Sequence, residues 1–185
     1  MLINDSHHFT NVTLSGNEAN FGGGIAFDGF STRADLTNVT ISNNTAHFDG
    51  GGIFSSSDVA NADVEATIIS GNMATNNDAN VNSGHVHVDD PGTNRIGDDP
   101  NLLLGDLADN GGPVQTHALL PGSNAIDQGA TVVPGTTTDV RGFIVNDTRR
   151  DLGAFELSAT SNQSQNNAPV VDLSLIHISE PTRPY

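Results

Sequence analysis

The segment FTNVTLSGNEANFGGGIAF, Phe9 to Phe27, returns as LTNVTISNNTAHFDGGGIF, Leu36 to Phe54, and a third, shorter copy follows as ATIISGNMATNN, Ala66 to Asn77. Leu14-Ser15-Gly16-Asn17 stands 27 residues before Ile41-Ser42-Asn43-Asn44, and Ile69-Ser70-Gly71-Asn72 comes 28 residues later. Ala19, Ala46 and Ala74 keep step, as do Gly22-Gly23-Gly24 with Gly50-Gly51-Gly52. A fixed period of this size means that one small unit is stacked on copies of itself. Within a unit, Val12/Leu14 and Val39/Ile41 alternate with Thr13/Ser15 and Thr40/Ser42. Period two predicts strands with one buried face. No segment sustains a helical period with caps. Each unit therefore reads as a coil of short strands joined by Asn/Gly turns, with successive coils meeting as parallel strands about 4.8 Å apart.

Stacking accounts for the composition. Only 35% of the 185 residues are hydrophobic, near the disordered regime unless one thin core is reused many times. There is no Cys, which excludes a disulfide scaffold and cysteine-based zinc or redox chemistry. Six Arg and no Lys face 22 acidic residues, for a formal charge of -16. Such a surface repels nucleic-acid phosphates and anionic lipid. No apolar run is long enough to predict a transmembrane segment. The opening MLINDSHHFTNVT has neither the basic nor the apolar part of a signal peptide. Because the first repeat begins by Phe9, we expect an array already under way, with coils and a signal peptide missing upstream.

Three stacked Asn are expected to form a structural ladder. Asn17, Asn44 and Asn72 occupy one turn position in each unit, where their amides can bond from coil to coil. The Gly triplets are expected to supply sharp corners with positive φ. The Asn-x-Ser/Thr sequons at Asn11, Asn38 and Asn43 read as turn residues for the same reason. On these residues the repeats resemble the right-handed parallel β-helix of the pectin-lyase-like superfamily. In particular NEANFGGGI and NTAHFDGGGI resemble the coils of polymorphic outer-membrane-protein repeats. The fold class this implies is all-β, with right-handed β-helix coils at about 9–35, 36–63 and 64–90 inside a repeat domain 1–98.

From Asp99 the texture changes. The carriers are Leu107-Ala108-Asp109-Asn110-Gly111-Gly112-Pro113, Thr116-His117-Ala118-Leu119-Leu120-Pro121-Gly122-Ser123, Ala125-Ile126-Asp127, Asp139-Val140-Arg141-Gly142 and Asp151-Leu152-Gly153-Ala154-Phe155-Glu156. In this order they resemble the end region that follows β-helix repeats in bacterial surface proteins of the choice-of-anchor Q type. Val140 departs from the Gln usual there. Residues 99–157 are thus expected to be an irregular C-terminal cap. An open stack ends in unpaired strand edges, and Leu102, Leu103, Leu104, Leu119, Leu120, Ile126 and Phe155 are expected to cover that end. Arg141 with Asp139, Asp151 and Glu156 is the expected ion-pair cluster, a clamp that fixes loops.

Residues 158–172 read as a polar linker, SATSNQSQNN, followed by NNAPVVD, which resembles the entry into a cadherin-like or Ig-like module. Leu173 to Pro184 resembles one translated frame of a transposon-end sequencing adapter. Residues 173–185 are accordingly expected to be an adapter-derived artefact.

Two metal readings arise. In a strand, His85, His87 and Asp89 of HVHVDD share a face, and two imidazoles with a carboxylate suit Zn²⁺; a last edge strand with its polar face in water is the plainer reading. Asp106 and Asp109, with Asn110 and the pair Asp98 and Asp99, are oxygen ligands near turns and suit Ca²⁺. Here solvated turn residues are the alternative.

For function, the resemblance implies a non-catalytic structural or adhesive β-helix region of a large bacterial cell-surface or secreted protein. Its partners would be a glycan or a neighbouring cell surface, and further domains of the same chain, in an extracellular or outer-membrane-associated setting. The rival is a piece of a polysaccharide lyase or glycoside hydrolase whose site lies in upstream coils. Gly84-His85, Arg95-Ile96 and Asp98-Asp99 resemble polygalacturonase fragments, but in the wrong order and without the flanking Gly and Lys. The fold alone does not separate the two.

Overall fold

The computed structural model describes residues 1–3, 6–27, 32–56, 60–76, 78–82, 86–89, 93–132, 134–135 and 137–159. Among them the chain is all-β, with no helix, and none therefore long and apolar enough to cross a membrane. In chain order, β1 (Leu2–Ile3) precedes the first unit, which comprises β2 (His7–Ser15), β3 (Glu18–Ala19) and β4 (Ile25–Phe27). The second unit is β5 (Arg33–Ser42), β6 (Thr45–Ala46) and β7 (Ile53–Ser55), and the third is β8 (Ala60–Glu65), β9 (Ile68–Ser70) and β10 (Met73–Ala74). Next come β11 (Val86–Asp89) and β12 (Arg95–Ile96), then a hairpin of β13 (Leu104–Ala108) and β14 (Thr116–Leu119).

Equivalent strands of successive units pair in parallel. One sheet runs β1-β4-β7, a second β10-β6-β3, and the third joins β2 and β5 to β8 and β9 and these to β11 and β12. Registers follow the repeat: Leu14 pairs Ile41, and Ile41 pairs Ile69. The strands β11 and β12 lie against β8 and β9, so a fourth course exists that the repeat alignment does not reach. Its sequence keeps the strand phase but has lost the Ser-Gly-Asn signature by which the other copies align.

Alternation decides what is buried. Leu36, Val39, Ile41, Val64 and Ile69 point into one core with Ile25, Phe27 and Ile53. Phe9, Val12 and Leu14, at the equivalent places in the first unit, pack against that core but are only partly buried. A left-handed residue interrupts each long strand at the same place: Asn11 (φ 54°), Asn38 (φ 52°) and Ala66 (φ 49°). Two sequon Asn occupy this course, and the third, Asn43 (φ 57°), turns the chain after β5. Asn tolerates this region better than most residues.

The Gly triplets serve two purposes, one of them not expected. Gly22 (φ 63°) and Gly50 (φ 65°) make the corner. Gly23 and Gly24 have ordinary φ, and a Cβ on either would come within 2.6 Å of the carbonyl oxygen of Gly51 or Gly52. Backbone packing between units, rather than positive φ, requires glycine there.

The described part of the expected cap, residues 99–157, meets the stack along its side. Its described residues lie along the flank of the stack, bonded to three successive units. Asn11 Nδ2 donates to Thr138 O (3.0 Å), Ala154 N to Thr40 Oγ1 (3.0 Å), and Gly153 N to Ala66 O (2.7 Å). The cause is an outward apolar patch. Thr13 and Thr40 are followed in register by Ile68, and Ile68 and Ala66 are covered by Leu119, Ala125, Leu152 and Phe155. Leu102, Leu104 and Ile126 pack around that cluster, while Leu103 and Leu120 stay exposed. Burying Ile68 and Leu152 where water would otherwise sit favours the flank by about 1.5–3 kcal/mol per side chain.

Candidate functional site between the repeats and the flanking segment

The Asn course is continuous. Asn17 Nδ2 donates to Asn44 Oδ1 (2.9 Å), Asn44 Nδ2 to Asn72 Oδ1 (2.9 Å), and Asn72 Nδ2 to Asn80 Oδ1 (3.0 Å). Backbone N–H groups of Asn17 and Asn44 join the same oxygens. Asn44 and Asn72 are buried, and their amides also reach strand carbonyls such as Leu14 O and Ile41 O. The course is structural, because each buried amide has its polar atoms engaged.

Five charged residues of the flank, Asp139, Arg141, Arg150, Asp151 and Glu156, form one buried cluster. Arg141 Nε donates to Asp139 Oδ2 (2.7 Å), Nη2 lies 2.6 Å from the same oxygen, and Nη2 also donates to Glu156 O (2.6 Å). Its guanidinium lies between the rings of Phe155 (3.9 Å) and Phe143 (4.5 Å). Asp151 accepts N–H bonds from Asp127 (2.8 Å) and Leu157 (2.7 Å), and Glu156 Oε1 accepts from Asp151 N (2.7 Å). Arg150 sits 3.5 Å from Glu156 Oε2 and reaches Thr138 O and Asn11 Oδ1, tying the cluster to the first unit. Burial raises the Asp151 carboxyl above its usual range. It pushes Glu156 up to about 8, reinforced by the charge of Asp151 and opposed by Arg150. The four residues named from sequence thus meet, and Arg150, which the sequence reading omits, joins them.

The metal candidates are placed differently. Among the described residues no three His, Asp or Glu side chains converge as metal ligands. Asp98 accepts from Gly71 N (2.8 Å), Asn80 and Ser70, and the first two of these bonds are the main reason its carboxyl is held below the usual range. Asp99 is lowered by the N–H of Asn101 and the amide of Asn124. Asp109 accepts from Gly111 N (3.0 Å), and the Asn110 amide donates to Thr116. These act as turn caps. In register, His87 stands beside Asn61 and Asp89 beside Asp63, on an edge strand; His85 lies outside the described residues, as do residues 160–185 with the linker and tail assignments.

Between the stack and the flank lies a crevice of about 230 Å³, lined by Ser42, Asn43, Ser70, Leu102, Leu104, Asp106 and His117 among others. A serine course forms one wall: Ser15, Ser42 and Ser70 are neighbours in register. Ser15 Oγ lies 2.7 Å from His117 Nε2, and His117 Nδ1 lies 2.8 Å from Gly105 O. A carbonyl only accepts, so Nδ1 carries a proton and, in the neutral ring, Nε2 accepts from Ser15. Ser70 Oγ donates to Asp98 (3.3 Å). Ser42, 4% exposed, stands between them, and its hydroxyl has no partner among the described residues. The sequence reading did not single out this course or His117, although the alignment of Ser15, Ser42 and Ser70 was visible.

The class this geometry defines is an all-β chain of stacked parallel strands with a second segment clamped to its flank. No protein-family model, curated protein or solved structure matches the chain.

Proposed function

We propose that the chain is a right-handed parallel β-helix region, with a flanking segment of the choice-of-anchor type, in a bacterial cell-surface or secreted protein. It works there as a non-catalytic scaffold with an adhesive, glycan-facing surface. The observation that supports this reading is the parallel pairing of successive units, residue for residue, in all three sheets. Such a stack grows in length by adding units and holds side chains in straight rows about 4.8 Å apart. That suits reach and repeated weak contacts. The charge of -16 supports a hydrated surface that repels nucleic acid and leaves neutral glycans free to approach.

Antibodies raised against the purified chain test the location. They should label intact cells that make the protein, or its culture medium. Labelling only after the cells are made permeable would overturn the reading.

A further inference from the structure

We infer that the crevice between the serine course and the flanking segment is a binding site for one neutral sugar residue, which rests on and deepens the reading of a glycan-facing surface. Along the Asn course and at Asp98 the polar side chains are consumed by ladders and caps. In the crevice three are not: the side chains of Ser42, Asn43 and Asp106 have no partner among the described residues. Ser42 is the central one: the residue is 4% exposed and lines the crevice, and its hydroxyl is left for a ligand, whereas its neighbours Ser15 and Ser70 are both engaged.

The lining selects the ligand. Ser42 and Asn43 each donate and accept, and the Asp106 carboxylate accepts only. Sugar hydroxyls, each donor and acceptor, satisfy all three. Leu102 and Leu104 offer an apolar wall on which the C–H face of a pyranose can lie. The volume is below the ~300 Å³ at which drug-sized sites begin, which fits one small ring. An anionic sugar would meet Asp106 and the net charge of -16, so the ligand is neutral.

The test is saturation-transfer NMR on the whole chain with neutral methyl glucoside, galactoside, mannoside and N-acetylglucosaminide, and with glucuronate for comparison. At least one neutral pyranoside should bind, in the millimolar range, and glucuronate should not. Ser42→Val and Asp106→Asn should each weaken binding by about fivefold or more, the loss of one hydrogen bond, while Met73→Ala, an exposed side chain outside the crevice lining, should bind as the wild type does. Asp106 is exposed, so its variant reports even if Ser42→Val fails to fold. Absence of binding by the folded wild type, a preference for glucuronate, undiminished binding by Asp106→Asn, or loss in Met73→Ala would each overturn the site. Labelling of intact cells would survive any of these, so a failed sugar site is distinguishable from a failed location.

Discussion

Ser15 and His117, separated by 102 residues of chain, share a hydrogen bond of 2.7 Å that ties the first unit to the flanking hairpin. Gly105 O fixes the ring from its other side. A double-mutant cycle with Ser15→Ala and His117→Ala should give a coupling energy of ~1 kcal/mol in urea unfolding. Strict additivity would show that the contact does not hold the two parts together.

Asn44 is fully buried, bonded above to Asn17 and below to Asn72, while Asn17 is exposed. Asn44→Ala strands polar groups on both neighbouring units and should cost ~3 kcal/mol. Asn17→Ala, at the solvent end of the same course, should cost below ~1 kcal/mol. Equal effects in chemical denaturation would refute the ladder as a cooperative element.

Gly153 has φ of 86°, and a Cβ there would meet Thr40 Oγ1 at 2.6 Å and Ile68 Cδ1 at 2.8 Å. Gly135 has a similar φ of 82° and open space around it. Gly135→Ala should therefore cost only the left-handed strain, ~1–2 kcal/mol. Gly153→Ala should cost at least ~3 kcal/mol, because the flank must also lift from β5 and β9. Hydrogen exchange should then rise at Ala154 and Leu152 before it rises in the stack. Unchanged protection would contradict the docking geometry.

Glu156 carries a raised folded-state pKa of about 8 against an unfolded value near 4.5. The native state thus holds its proton more tightly, so this contribution is full below pH 4.5 and is lost as pH rises through about 8. The melting temperature should fall across that window. Glu156→Gln, which keeps the acceptor for Asp151 N, should flatten the slope and leave the share from Asp151, whose carboxyl burial also raises. A wild-type profile that rises toward pH 8, or a variant with the same slope, would count against a buried protonated Glu156.

What the sequence disclosed was local and repeated. The phase of Val12/Leu14 and Val39/Ile41 shows which face goes inward because period two maps directly onto a pleated strand. Asn17, Asn44 and Asn72 were legible because a ladder needs one residue type at one place in every unit. The flank was not, since residues 99–159 have no period and their partners lie up to 139 residues away, as Asn11 does from Arg150. One signal was present: Thr13 and Thr40 give way to Ile68, an apolar residue on a face otherwise polar. The cluster around Arg141 was found through charge spacing and resemblance, but Arg150 was missed because its contacts run to another part of the chain. Ser42 carries no mark in the sequence beyond its row. Only the structure shows that its neighbours are engaged and it is not.

A stack held only by contacts between nearest neighbours can fray one unit at a time from an open edge. The flanking segment changes that failure mode, because it grips Asn11, Thr40 and Ala66 in three consecutive courses. Peeling the outermost strand then requires breaking bonds that also hold the two courses beneath it. A pull along the stack axis should accordingly meet a single large rupture instead of a series of small ones, the behaviour of a splint laid across a jointed rod.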